Sequence, residues 1–115
     1  MMPRMQERLT QVKRTLQEMG KQYPDFLEAF QKFKQETERE GAVDVKTKKL
    51  VAIALSVVTK CEWCIAIHTK DALEHGAKPG EIMEIVFVAS LMGGAPSLMM
   101  GQRVMQAIKE FQKKE

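Results

Sequence analysis

Apolar positions recur every three or four residues along most of the chain, and no stretch alternates with the period of two that a half-buried strand needs. Met5, Leu9, Val12, Leu16 and Met19 form a first stripe, with Pro3 near its start and Gly20 where a left-handed C-cap would sit. Phe26, Leu27, Phe30 and Phe33 form a second stripe after Pro24 and Asp25, and that helix is expected to stop by Gly41. Asp44 suits the N-cap of a third helix. Its "LVAIALSVV" segment, Leu50 to Val58, is apolar almost all round and predicts a central, buried element. A short break near Thr59 to Cys61 precedes a fourth helix, "EWCIAIHTKDALEHG", closed by Gly76. Pro79 and Glu81 open a fifth, "PGEIMEIVFVASLM"; Gly93-Gly94-Ala95-Pro96 turns the chain, and a sixth runs from about Pro96 to Lys113. The expected fold is all-α, about six helices in a single domain spanning residues 1–115, with residues 1–41 as an N-terminal helical pair.

Composition agrees with one globular core. The chain has 115 residues, 44% hydrophobic and 29% charged, which is neither disordered nor membrane-like. The net charge of +3 is spread thinly: residues 1–49 hold 11 Lys/Arg against 8 Asp/Glu, and residues 50–115 hold 7 of each. Nucleic-acid binding needs a dense row of cations, so it is not expected. The start, "MMPRMQERLTQ", has no apolar signal core, and the uncharged run "IVFVASLMGGAPSLMMG" from Ile85 falls short of a span and is cut by Gly93, Gly94 and Pro96. A soluble cytoplasmic chain without a membrane partner is the expectation. Met83, Met92, Met99, Met100 and Met105 concentrate in the last two helices. They read first as core packing and second as an oligomer interface.

The candidate chemistry lies in "KCEWCIAIH", Lys60 to His68, which holds both cysteines of the chain. Separations of three and four keep Cys61, Cys64 and His68 on one helical face. A helix starting at Cys61 puts both sulfurs beside unpaired N–H groups and the positive end of the dipole, which favour a thiolate. Lys60 adds a positive charge nearby. His68 can take the proton of Cys64, and Cys61 can close a disulfide on an oxidised Cys64. Three readings stay open on spacing alone: a redox dithiol, an inert buried pair, and a zinc site made by Cys61, Cys64 and His68 with a fourth position left to water. Trp63 packs over the pair or serves as a plain core or interface residue. His75, just before Gly76, complements the negative end of its helix.

Residues 43–99, "VDVKTKKLVAIALSVVTKCEWCIAIHTKDALEHGAKPGEIMEIVFVASLMGGAPSLM", resemble the core shared by the alkylhydroperoxidase D (AhpD)-like and carboxymuconolactone decarboxylase families. The carrying features are the "KTK-L-A-A" helix, C-x-x-C-x-x-x-H, the "A-L-E-x-G-A" ending, the "E-I-x-E" opening and the "GG-P" turn. The resemblance implies a helical subunit that assembles with its own copies, as a trimer or hexamer. In the peroxidase branch it makes Cys64 the peroxide-attacking thiol that becomes a sulfenic acid, Cys61 the proton donor and resolving thiol, and His68 part of a proton relay. The family relay usually includes a glutamate twelve residues before the first cysteine, where this chain has Lys49; a histidine often stands where Trp63 does. A lysine at that place either stabilises the thiolate directly or points to solvent, and implies a weak peroxidase with its dithiol intact. The expected function is therefore a thiol-dependent oxidoreductase, a weak alkylhydroperoxide or disulfide reductase with no cofactor. Its expected partners are a small hydroperoxide or disulfide and a thiol electron-donor protein or peroxiredoxin. The alternatives are a carboxymuconolactone decarboxylase-like lyase and a non-enzymatic oligomeric module, with or without zinc.

Overall fold

In the computed structural model, which describes residues 4–112, the chain folds into five helices: α1 Met5–Gln22, α2 Pro24–Glu38, α3 Val45–Val58, α4 Glu62–Glu74 and α5 Pro79–Phe111. No strand occurs among the described residues. Pro3 and Lys113, the outer limits expected for the first and last helices, lie outside them. The expected fifth and sixth helices form one element broken at Gly94, whose φ of 74° and ψ of −166° are not helical. Only glycine adopts that conformation without strain. At the neighbouring Gly93 the constraint is space: a Cβ there would lie 2.8 Å from Ser97 Cβ and closer still to Ser97 Oγ.

Helices α3, α4 and α5 pack against one another, α1 lies on α4, and α2 follows α1 back with slight contact to α3. The core is built from Ile53 and Val57 of α3, Ile65 and Ala66 of α4, and Ile82, Val86 and Val104 of α5, all shielded from solvent. Each such branched side chain stabilises the fold by roughly 1.5–3 kcal/mol on burial. Met5 and Leu9 add the first two turns of α1. The start of α1 is held by the far end of the chain, since Glu110 accepts hydrogen bonds from the backbone N–H of Met5 and Gln6, both at 2.9 Å.

The helix starts follow the chain's polar punctuation. Asp44 Oδ1 accepts from Thr47 N at 2.7 Å, Pro24 and Pro79 open α2 and α5, and Glu81 accepts from Lys78 N at 2.9 Å. Gly20 differs from expectation. The helix runs through it to Gln22, and its missing side chain instead admits Leu27 of α2, whose Cδ2 would lie 2.9 Å from a Cβ at position 20.

Three apolar surfaces are open, and that of α3 departs from the sequence reading. Helix α2 buries none of its residues, and Phe26 and Phe33 are more than half exposed; Phe26 stacks on Phe30, ring centroids 6.4 Å apart. Helix α3 is buried on one face only: Val51, Leu55 and Val58 share a face that no helix among the described residues covers. Leu91 and Met92, just before the break in α5, are more than four-fifths exposed. By length and composition alone α5 is long and apolar enough to cross a membrane, the one such helix among the described residues. Its buried positions Ile82, Val86, Val104 and Ala107 nonetheless belong to the bundle core.

Ile65→Ala is expected to lower unfolding free energy by about 2–5 kcal/mol, and Gly93→Ala by about 1–3 kcal/mol because Ser97 must move. Urea denaturation followed by circular dichroism checks both; an unchanged midpoint for Gly93→Ala would mean that the break tolerates a side chain.

Candidate redox site

The chain leaves α3 through Thr59 and turns at Lys60, a non-glycine residue in the left-handed region with φ 57°. The turn is fixed on both sides by backbone bonds from Lys60 N to Val57 O and from Cys61 N to Ser56 O. Cys61 is the N-cap of α4, and its Sγ accepts the backbone N–H of Cys64 at 3.1 Å. The two sulfurs are joined in a disulfide, with Cα atoms 5.2 Å apart. The expected helix start is thus in place. The sulfur receiving the first-turn amide is that of Cys61, so a thiolate formed there on opening the disulfide meets a ready hydrogen-bond donor.

The residues between the cysteines are anchored from outside. Glu62 Oε1 accepts from Arg8 Nε of α1 and from Arg103 Nη2 of α5, each at 3.0 Å, and Arg103 is almost wholly buried. Partial burial alone would raise the Glu62 pKa; the hydrogen bonds and charges of the two arginines outweigh it and hold the carboxyl below its usual range. Trp63 donates its ring N–H to Gln11 Oε1 at 2.7 Å, and the Arg8 guanidinium sits 5.6 Å from the ring centroid. With half its surface in solvent, Trp63 serves as a clasp to α1 and lines a shallow groove with Val12 and Leu16. His75 closes α4, its Nδ1 2.8 Å from the Asp71 carbonyl, the helix-end role its position suggested.

His68 lies two turns into α4, half-buried, and its Nδ1 is buried without a hydrogen bond among the described residues. It lines a mostly apolar cavity of about 440 Å³ with Val43, Val51, Ala52 and Leu55, and a smaller one with Phe30 and Phe33. Glu38 borders both cavities.

Lys49 is neither at solvent nor free to serve a thiolate. It is 5% exposed, and its Nζ lies 2.7 Å from Glu38 Oε2 and 3.4 Å from Asp71 Oδ2. Glu38 is also bridged by Lys34 at 2.9 Å. Burial would lower the Lys49 pKa, but the two carboxylates reverse the sign and raise it. Burial would likewise raise that of Glu38, and its two lysines bring it below the usual range. Around His68 burial dominates: it pushes the pKa down, Asp71 and Glu38 push it up, Lys34 and Lys49 push it down again, and the net displacement is downward.

Glu38 and Asp71 were not singled out from sequence. Asp71 had a local signal, three residues after His68 on the same face; Glu38 is brought in from another helix and had none. As for a metal, the disulfide uses both sulfurs, and among the described residues no group of three potential ligands is gathered to hold an ion.

A histidine whose folded-state pKa lies below its unfolded value binds fewer protons folded than unfolded. Stability should therefore be full above about pH 6.5 and decline as pH falls through the imidazole range, with a second decline below the carboxylate range as Glu38 and Glu62 protonate. His68→Gln should flatten the first decline and leave the second. Urea midpoints between about pH 7.5 and pH 3 test this, and an identical slope in both proteins across the imidazole range would contradict it.

Comparison with known proteins places this geometry. The sequence profile of the carboxymuconolactone decarboxylase family matches residues 24–107. An uncharacterized protein of Cupriavidus necator is 31% identical over 98 residues, 85% of this chain and 87% of its own length. A carboxymuconolactone decarboxylase family protein from Legionella pneumophila, solved in its apo form, superposes with a TM-score of 0.91 at 32% identity, covering 95% of this chain and 97% of that one. A family protein from Thermotoga maritima, described in connection with an antioxidative response, superposes at 0.78 with 27% identity, over 89% and 87% of the two chains. The chain, with its cysteine pair at the start of α4, belongs to the carboxymuconolactone decarboxylase family.

Proposed function

We propose that the protein is a cytoplasmic thiol-dependent oxidoreductase that cycles Cys61 and Cys64 between dithiol and disulfide, reducing small hydroperoxides slowly or exchanging with small disulfides. The observation that carries this reading is the Cys61–Cys64 disulfide at the first turn of α4, with His68 further along the same helix beside an apolar cavity. The antioxidative connection of the Thermotoga relative supports it.

In the reduced protein His68, kept neutral by burial, accepts the Cys64 proton. The Cys64 thiolate attacks the terminal hydroperoxide oxygen and the O–O bond breaks. The alkoxide leaves as alcohol with the imidazolium proton, and Cys64 becomes a sulfenic acid. Cys61 then attacks the Cys64 sulfur; the S–O bond breaks, and hydroxide departs as water with the Cys61 proton. The two thiols supply the two electrons, and an external thiol donor, small or protein-borne, restores them by exchange. In that return step attack on Cys64 expels the Cys61 thiolate toward the waiting Cys64 amide.

The exposed apolar face of α3 and the Leu91–Met92 segment belong to the same proposal as a contact between copies of the chain, in a trimer or hexamer. The competing reading, a lactone decarboxylase, takes its support from the family match. It predicts turnover that survives replacement of both cysteines by serine.

Intact mass spectrometry of reduced, chelator-treated protein should show rapid loss of two hydrogens on adding a hydroperoxide, and none in Cys64→Ser. No change over many minutes in the wild type would reject the peroxidase form. Light scattering should give a mass several times 13.1 kDa, lowered in Leu55→Asp; a monomer at micromolar concentration would reject the assembly.

A further inference from the structure

We propose that Glu38, carried in from α2 and fixed in place by Lys49, is the carboxylate partner of His68, making Glu38 and Lys49 positioning residues for proton transfer at the Cys64 site. An imidazole that accepts a proton in a half-buried setting creates a cation that needs an anion near it. Glu38 and His68 border the same two cavities, one on the apolar side lined by Val51 and Leu55, the other on the Phe30–Phe33 side. Among the described residues no hydrogen bond occupies the buried Nδ1 of His68. The Glu38 carboxylate reaches this place from a helix with no buried residues, and the ammonium that holds it there is itself 5% exposed.

The charged groups acting on His68 come from three helices: Glu38 and Lys34 on α2, Lys49 on α3, and Asp71 on α4. The two anions favour protonation of His68 and the two cations oppose it, while burial, the largest influence, holds its pKa below the ordinary imidazole value. Lys49 matters to that balance twice. Its own charge opposes protonation of His68, and its bonds to Glu38 and Asp71 set where both carboxylates stand. The relay is therefore built from residues on separate helices. A lysine at position 49 is compatible with it because the carboxylate sits one side chain further out.

The inference deepens the dithiol reading and rests on it for its effect on turnover, but its first readout does not. The experiment is an NMR titration of the His68 ring in wild type, Glu38→Gln, Glu38→Asp and Lys49→Met. It is paired with the pH dependence of iodoacetamide alkylation at Cys64 in a Cys61→Ser background. Glu38→Gln should lower the His68 midpoint by about half a pH unit, Lys49→Met should raise it, and Glu38→Asp should restore it toward wild type. The alkylation profile should move with the midpoint. Glu38→Gln is isosteric on a helix without buried residues, and circular dichroism confirms its fold. A midpoint unchanged in folded Glu38→Gln overturns the inference, as does a Glu38→Asp variant indistinguishable from Glu38→Gln. If peroxide forms no disulfide but the midpoints shift as stated, the peroxidase reading fails and the pairing of Glu38 with His68 stands.

Discussion

An ammonium almost out of reach of water must be met by anions, and in this protein the lysine at position 49 of α3 draws a carboxylate from each of two other helices to meet it. Removing one partner of such a pair costs several kcal/mol, about 3–5 when the other is left buried. The bridge does more than offset desolvation. Helix α2 has no buried residue of its own, so its end is tied to the bundle through Glu38, and its start through the close approach of Leu27 to Gly20. The walls of the cavity beside His68 therefore depend on an ion pair as much as on apolar packing.

A second constraint acts at the other end of α4. The residue after Cys61 sends its carboxylate to arginines on α1 and α5, and the next places its indole against Gln11. These ties lie between the two cysteines, so the segment that would move during a redox cycle is held by side chains that take no part in it.

What could be read in advance divides along physical lines. Helix starts were legible because Asp44, Cys61 and the prolines at 24 and 79 act on their own local backbone. The pairing of Cys61 with Cys64 was legible because a spacing of three at a helix start brings the two ends of one turn together. Gly20 was misread because a missing Cβ serves a close helix contact as well as it serves a cap, and sequence does not tell them apart. The burial of α3 was overstated because hydrophobicity reports that a face wants covering, not which chain covers it. Lys49 was the least legible. Its two partners lie 11 residues before it and 22 after it, and only the tertiary fold brings them together.

The disulfide closes a loop with a sequence separation of only three. Cross-links restrain the unfolded chain in proportion to the logarithm of the loop they close, so this one adds little to the entropy balance of folding. The first turn of α4 already brings its two ends together. The fold is thus nearly indifferent to its own cross-link, and what keeps α4 standing is its packing and the side chains of Glu62 and Trp63 that reach α1 and α5.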